Sequence, residues 1–358
     1  MKLLVTGGAG FIGSNFVNHW LLNHKTDSII VVDNLTYASN LRRLKVSFGT
    51  GRIVLLPLDI RDYKSMSKVI DMNIDAIVHF AAETHVDRSL SGYEAEKLFM
   101  RTNYEGTMSL LHAAKNAGVR RFHHVSTDEV FGDLEFDDKK FHENFPYNAK
   151  NPYSISKAAA DFAVRSFGTT YDLDFTISNC TNNYGPFQTP EKLIPRSILL
   201  LLEDKKVQLY TDENGVAGRN VRDWLHVTDH CTAIESILLK GKIGETYCVG
   251  GNSELTNFQL IMEMFEQMKK ITGINYEYET HVDLVKDRPG HDKRYAMSTE
   301  KIKNELGWSP SYSLESGLQS TVMWYLSDEG KKWLKSMQMT SCEVRENQAK
   351  KELENDNK

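Results

Sequence analysis

The opening of the chain constrains its fold more than any other segment. Lys2–Gly13 reads KLLVTGGAGFIG: an apolar run, then Gly7, Gly10 and Gly13 at three-residue spacing, then a helical pattern. Each glycine has its own task in a strand-to-helix turn. Gly7 permits the tight reversal, Gly10 lets a pyrophosphate approach the backbone, and Gly13 lets the helix pack onto the sheet. The unpaired amides and positive dipole end of that helix then receive phosphate. Glycine turns are common, but a strand before and a helix after supply the context that a dinucleotide site requires. Twenty residues past Gly13 a second apolar run ends in Asp33. A carboxylate there accepts hydrogen bonds from the adenosine ribose and repels a 2′-phosphate, so the expected cofactor is NAD rather than NADP. Asp59, closing a third run, either touches the adenine edge or caps the helix beginning near Asp62.

The rest of the first half repeats this rhythm. Predicted strands are Lys2–Thr6, Ser28–Val32, Ile53–Pro57, Asp75–Phe80, Arg121–Ser126 and Asp174–Asn179. Predicted helices are Phe11–His24, Tyr63–Met72, Gly92–Ala117 and Tyr153–Tyr171. Strands separated by helices pair in parallel through right-handed crossovers. Nearly all-apolar strands suit burial on both faces. The fold class is therefore α/β: a doubly wound parallel sheet of the Rossmann type with a smaller α/β lobe. Residues 1–180 are expected to form the cofactor domain and 181–330 mainly the lobe, with the chain crossing back more than once. Lobe strands are expected at Val207–Tyr210, Thr246–Val249 and Tyr276–Thr280, and helices at Glu191–Glu203, Thr228–Lys240, Thr256–Thr272 and Ser313–Leu326. Residues 336–358 read as a polar tail without an apolar face.

Composition narrows the function classes. With a net charge of −5 and no basic stripe, a nucleic-acid partner is not expected. No apolar run approaches the roughly 20 residues of a membrane span. The chain begins directly with a strand, which leaves no room for a signal peptide. Cys180, Cys231, Cys248 and Cys342 are widely spaced and read as free thiols in a reducing compartment, so a cytoplasmic location is expected. No metal site is expected. His226 and His230 straddle a strand-to-helix junction, His123 and His124 point to opposite faces of a strand, and His85 has no partner at ligand spacing.

Tyr153 and Lys157 lie four residues apart at the start of a predicted helix, on one face. A nearby ammonium should lower the phenol's pKa and let Tyr153 remove a hydroxyl proton as hydride leaves the same carbon. Ser126-Thr127 ends a strand some 25 residues earlier.

These features resemble the extended short-chain dehydrogenase/reductase family, and within it the nucleoside-diphosphate-glucose 4,6-dehydratases, typified by the dTDP-glucose enzymes. The resemblance rests on Ser126-Thr127-Asp128-Glu129-Val130, the run Ala81–Ser89, Asn182–Pro186, Pro190–Pro195, Arg222–Leu225 and Arg288–Asp292, and covers about residues 1–326. It implies oxidation of a hexose at C4, loss of water across C5 and C6, and return of hydride to C6, with no net use of NAD. It assigns Asp128 as the acid that protonates the departing hydroxyl, Glu129 as the base at C5, and Thr127 as a sugar contact beside Tyr153. Two carboxyl groups in different environments can divide those roles, whereas an epimerase of the same fold has no use for them.

The resemblance also implies cofactor contacts at Phe11, Ile12, Asn34, Leu35, Thr36, Ile60, Phe80, Ala81, Ala82, Thr84, Thr102, Tyr153, Lys157 and Asn183. Substrate contacts follow at Asn182, Lys192, Leu193, Gln208, Tyr210, Asn257 and His291, with Thr84 shared. Arg222 and Arg288 are the leading pyrophosphate binders, because guanidinium matches phosphate bidentately. Two departures stand out. Phe131 replaces a usual Tyr, and the 211–221 loop is longer than the family norm, which leaves the nucleotide base open. The expected substrate is dTDP-glucose; alternatives are UDP-glucose or a UDP-N-acetylhexosamine, a nucleotide-sugar 4-epimerase, and a non-catalytic NAD-binding scaffold. Gly92–Ala117 and Tyr153–Tyr171 resemble the helices by which family members pair, so a homodimer is expected.

Overall fold

The computed structural model describes residues 1–212, 215–286 and 292–337. Its centre is a seven-stranded, wholly parallel sheet in the order β10-β6-β5-β4-β1-β2-β3. The strands are β1 Lys2–Thr6, β2 Ser28–Val32, β3 Ile53–Leu56, β4 Ala76–His79, β5 Phe122–Thr127, β6 Phe175–Cys180 and β10 Thr246–Val249. The reason for the near-continuous apolar runs is visible in the packing. Leu3, Val5, Ile29 and Val31 enter one buried cluster, whereas Leu4, Ile30, Val32 and Ile77 enter the cluster on the opposite face. A strand buried on both sides has no position for an alternating polar residue. The strand order reverses between β1 and β4, so a crevice opens at the carboxyl ends of these strands.

The lobe holds two small sheets. β9 (Val221–His226) pairs parallel with β7 (Asn182–Tyr184) and antiparallel with β11 (Glu254–Thr256), while β8 (Val207–Thr211) pairs parallel with β12 (Val282–Lys286). Its core is a separate cluster around Ile198, Leu260, Met264, Leu318 and Tyr325.

The structure changes several expectations. The segment expected as a strand at Tyr276–Thr280 contains a helical turn, Tyr278–His281, and the strand follows at Val282–Lys286. That strand lies at the edge of a two-stranded sheet with only Val282 buried, so it lacks the apolar run that marks the others. Thr246–Val249, expected among the lobe strands, returns to the main sheet as its edge beside β6. Gly92–Ala117 is continuous but heterogeneous: α-helical at Tyr93–Phe99, π-helical at Met100–Glu105, α-helical again at Gly106–Ala117. The expected polar tail begins inside order. A helix spans 328–337, burying Trp333 and Leu334, and Ser336 donates to the Trp333 carbonyl at 2.7 Å. Residues 338–358 lie outside the described residues. Among the described residues, no helix is long and apolar enough to cross a membrane.

Candidate active site

The glycine turn closes as its spacing requires. Gly7 has φ +68°, and a Cβ there would sit 2.7 Å from the Ala81 nitrogen; at Gly13 a Cβ would meet the Gly7 carbonyl oxygen at 2.4 Å. Gly10 differs. Its backbone is extended, and apart from the Gly7 carbonyl oxygen at 3.1 Å a Cβ would point into open space. That one backbone oxygen is its single close neighbour, so the position's bareness leaves room for a ligand's close approach. The helix Phe11–Asn23 has no acidic residue in its first turn and no side-chain cap. Its first amides therefore remain for an anion.

Asp33 lies at the end of β2. One carboxylate oxygen accepts from Ala9 N at 2.9 Å, the other from Leu35 N at 2.9 Å and the Ser39 hydroxyl at 2.6 Å. The capping role weighed for Asp59 falls to its neighbour. Asp62 caps the helix Tyr63–Ile70, accepting from Ser65 N at 3.2 Å. Asp59 is gripped by Arg61 at 2.5 Å and by Asn34 at 3.2 Å, and faces the crevice.

That crevice is a cleft of ≈ 610 Å³ running from the glycine turn to the end of β5. Gly7, Gly10, Phe11, Ile12, Gly13, Asp33, Asn34, Thr36, Asp59, Ile60, Phe80, Ala81, Ala82, Thr84, Thr102 and Asn183 line it. Leu35 does not; it is exposed, in the left-handed region at φ 51°. These features fit a nicotinamide dinucleotide with a free ribose 2′-hydroxyl: bare backbone for the phosphates, and a carboxylate at the ribose.

The far end of the same cleft is lined by Thr127, Asp128, Glu129, Tyr153 and Lys157. β5 delivers the first of these. Thr127 ends the strand and caps a short 3₁₀ turn, Asp128–Phe131, which turns both acids inward. The helix Pro152–Tyr171 delivers the rest, fixed at its start by Asn151 and Ser154 in a capping box. Tyr153 is within hydrogen-bonding reach of Thr127, and burial raises its phenol well above the ordinary value, with Glu129, Cys180 and then Asp128 adding to the rise. The expected lowering by Lys157 is not what the protein's own groups produce. The Lys157 ammonium is buried, donates to the Val125 carbonyl at 2.8 Å and lies 3.4 Å from His124. His124 in turn lies 3.2 Å from Asp161, which also accepts from Ser126 and Tyr147, each at 2.8 Å. This buried group fixes the position of the lysine ammonium.

The two acids differ. Burial pushes the Asp128 carboxyl well above the usual carboxylate range, and Glu129 beside it adds to the effect. Glu129 is also raised, first by burial and then by Asp292, but less strongly. Burial thus favours the protonated form of both carboxyls, and each is raised by a different neighbouring acid. One Asp128 oxygen accepts from Thr127 at 3.1 Å, and the other is buried with no hydrogen-bond partner among the described residues. A buried polar atom in that condition calls for an explanation, and a ligand hydroxyl supplies one.

Of the expected substrate contacts, Thr84, Asn182 and Lys192 line the cleft. Leu193, Gln208, Tyr210, Arg222 and Asn257 stand on the lobe beyond that wall. Gln208 accepts from Arg196 at 2.9 Å; Arg222 donates to the Asp292 carbonyl at 2.9 Å and lies 4.5 Å over the Tyr295 ring, while its charge lowers both acids. Arg288 and His291 lie outside the described residues. Phe131 is buried against Phe141 and Tyr147, where a ring suffices. His226 stacks on Tyr312 and caps Thr228 N, and His230 binds Asn183 at 2.8 Å. Among the described residues no three His, Cys, Asp or Glu form a metal-binding group.

Sequence reasoning missed part of the wall: Tyr37, Arg88, Glu83, Cys180, Gln188 and Glu191. Tyr37 lies 3.9 Å beneath the Arg88 guanidinium, a pairing between distant loops that no spacing announces.

Known proteins share both the sequence and this geometry. The family model described as GDP-mannose 4,6 dehydratase matches residues 4–321. A dTDP-glucose 4,6-dehydratase from Neisseria gonorrhoeae is 45% identical over 343 residues, covering 92% of this chain and 96% of its own. A dTDP-glucose 4,6-dehydratase from Streptomyces venezuelae, solved with NAD bound, superimposes with a TM-score of 0.85 at 43% identity, covering 94% of this chain and all of its own. A UDP-glucose 4-epimerase from Thermotoga maritima reaches a TM-score of 0.80 at 28% identity, covering 91% and 98%. On the extent of these matches, this chain belongs to the GDP-mannose 4,6-dehydratase family.

Proposed function

We propose that this chain is a dTDP-glucose 4,6-dehydratase, converting dTDP-glucose to dTDP-4-keto-6-deoxyglucose and water. The carrying observation is the Asp128–Glu129 pair on the same cleft wall as Tyr153 and Lys157, with one Asp128 oxygen buried and unpartnered among the described residues. Gly7, Gly10, Gly13 and Asp33 would hold NAD, which when bound would supply a reversible two-electron sink for the hydride of the sugar's C4. Tyr153 takes the C4 hydroxyl proton. The resulting ketone acidifies C5, so Glu129 can remove that proton while Asp128 protonates the departing C6 hydroxyl as water. Once hydride reaches C6, Glu129 returns a proton to C5. Thr127 orients the sugar beside the phenol. Residues 1–180 do most of the cofactor work, and Lys192, Arg222 and their neighbours in 181–330 serve the nucleotide diphosphate.

The shared fold does not separate this reading from a 4-epimerase, because epimerases superimpose almost as well. The acid pair does: epimerisation needs no proton taken from C5 and none delivered to the C6 hydroxyl. Incubation with dTDP-glucose, UDP-glucose and a UDP-N-acetylhexosamine tests both reaction and base, the 211–221 loop lying between Tyr210 and Arg222. The expected result is a 4-keto-6-deoxy product formed fastest from dTDP-glucose. A galactose-configured product, or faster turnover of a UDP sugar, would overturn the assignment.

The chain is further proposed to be a homodimer in the cytoplasm. Supporting the first, Tyr93, Ile155 and Phe162 on the two long helices are exposed apolar side chains. Light scattering on the purified protein should give twice the chain mass; the monomer mass would remove the claim. Supporting the second, Cys180, Cys231 and Cys248 are free thiols, and cell fractionation reads it directly.

A further inference from the structure

Arg43 takes no part in the chemistry above, yet its side chain is only 1% exposed. Its guanidinium is spent on backbone carbonyls. Nη1 donates to Ala9 at 2.9 Å and Ala38 at 2.5 Å, while Nε and Nη2 both donate to Phe187, at 3.2 and 2.9 Å. None of these acceptors is a carboxylate, and the charge persists because burial lowers its pKa only to about 10.

The three carbonyls belong to three walls of one cleft. Ala9 is in the glycine turn. Ala38 is in the loop after Asp33, between the lining residues Tyr37 and Ser39. Phe187 precedes Gln188, Thr189, Glu191 and Lys192, which line the opposite side. Phe187 has φ 69°, a conformation that a bulky residue adopts only when neighbours enforce it. The paired donors on its carbonyl, and the Trp324 and Trp333 rings at 4.6 and 5.6 Å, do so. Trp333 also lies 4.6 Å from the Arg43 guanidinium and closes it from solvent. A planar fork with donors on several edges can bridge three carbonyls; the single ammonium of lysine cannot span them.

We propose that Arg43, covered by Trp333, is a positioning residue that ties the dinucleotide wall to the sugar-nucleotide wall and so retains the cofactor between the two hydride transfers. The inference rests on the dehydratase reading, in which the reduced cofactor must stay in place until the sugar has lost water. Should the two loops part in that interval, the cycle aborts and a 4-keto sugar that still carries its C6 hydroxyl escapes.

The test compares wild type with Arg43→Lys, Arg43→Met and Trp333→Phe, with the exposed Arg42→Met as control. The readouts are NAD content after purification, NAD Kd, and the fraction of turnovers ending in the unreduced 4-ketoglucose nucleotide. Both Arg43 variants should show a Kd raised roughly 10–100-fold, the loss of one or two charge-assisted hydrogen bonds. Abortive product should rise, with kcat at saturating NAD falling much less than affinity. Trp333→Phe should shift Kd in the same direction by a few fold, and it keeps the proposal testable should the Arg43 variants fail to fold. Arg43 variants with wild-type Kd and no abortive product, or with lost kcat at unchanged Kd, would overturn the proposal. Wild type that neither binds NAD nor turns over dTDP-glucose would instead overturn the reading beneath it.

Discussion

Tyr153→Phe stops turnover before the first intermediate: nicotinamide reduction in a single-turnover experiment with dTDP-glucose falls roughly 10²–10⁴-fold, the contribution of a positioned base. The hydroxyl is the only group removed. The ring keeps its edge contact with Phe99, whose centroid lies 6.3 Å away at 80°, so NAD affinity and the unfolding midpoint should be unchanged. The phenol starts from an unfavourable position. Burial and the two acids hold its pKa well above the ordinary tyrosine value. Because the base acts in its ionised form, the wild-type rate of this first step should climb as pH rises towards that pKa. Lys157 offers only a buried ammonium directed at the Val125 carbonyl, and the positive nicotinamide ring of bound NAD is the other charge able to oppose the rise. Cofactor reduction by Tyr153→Phe at the wild-type rate would remove Tyr153 from the base's role.

The cofactor half of this site was legible because each of its requirements falls on neighbouring residues. Gly7, Gly10 and Gly13 lie within one turn, and Asp33 follows at the end of the next strand. Asp128 and Glu129 were legible for the same reason, being adjacent in sequence on a strand end. What escaped was assembled from distant segments. The π-helical stretch Met100–Glu105 puts Thr102 on the cleft wall and lets Asn103 bind both backbone groups of Glu83, at 2.8 and 3.0 Å. Side-chain periodicity cannot signal one extra residue in a helical turn, although such turns recur at functional sites. Val282–Lys286 escaped because an edge strand facing solvent carries charged residues where a buried strand carries apolar ones. Trp333 escaped because it stands alone in a charged stretch between the predicted helix Ser313–Leu326 and the tail at 336–358, with nothing to announce its partner, Arg43.

Glu129→Gln should separate the two halves of the reaction. The amide keeps the shape and can still face Asn151, whose nitrogen lies 3.5 Å from the carboxylate, but it cannot accept a proton from C5. Nicotinamide reduction should proceed near the wild-type rate and then stall, with 4-keto-6-deoxy product falling roughly 10²–10⁴-fold. Exchange of the C5 hydrogen with solvent deuterium should be lost with it. The pH dependence has a definite sign. Glu129 works ionised and its pKa is raised, so elimination declines as pH falls through a value above the ordinary glutamate figure of about 4.3. Asp128 works protonated and is likewise raised by burial, so the alkaline decline begins where its proton leaves. The variant's residual rate should lose the acid limb, and its alkaline limb should move to lower pH because Glu129 no longer raises Asp128. If Glu129→Gln turned over fully, the C5 base would have to be another group. If it blocked cofactor reduction as deeply as Tyr153→Phe, the residue would be serving the phenol rather than the sugar.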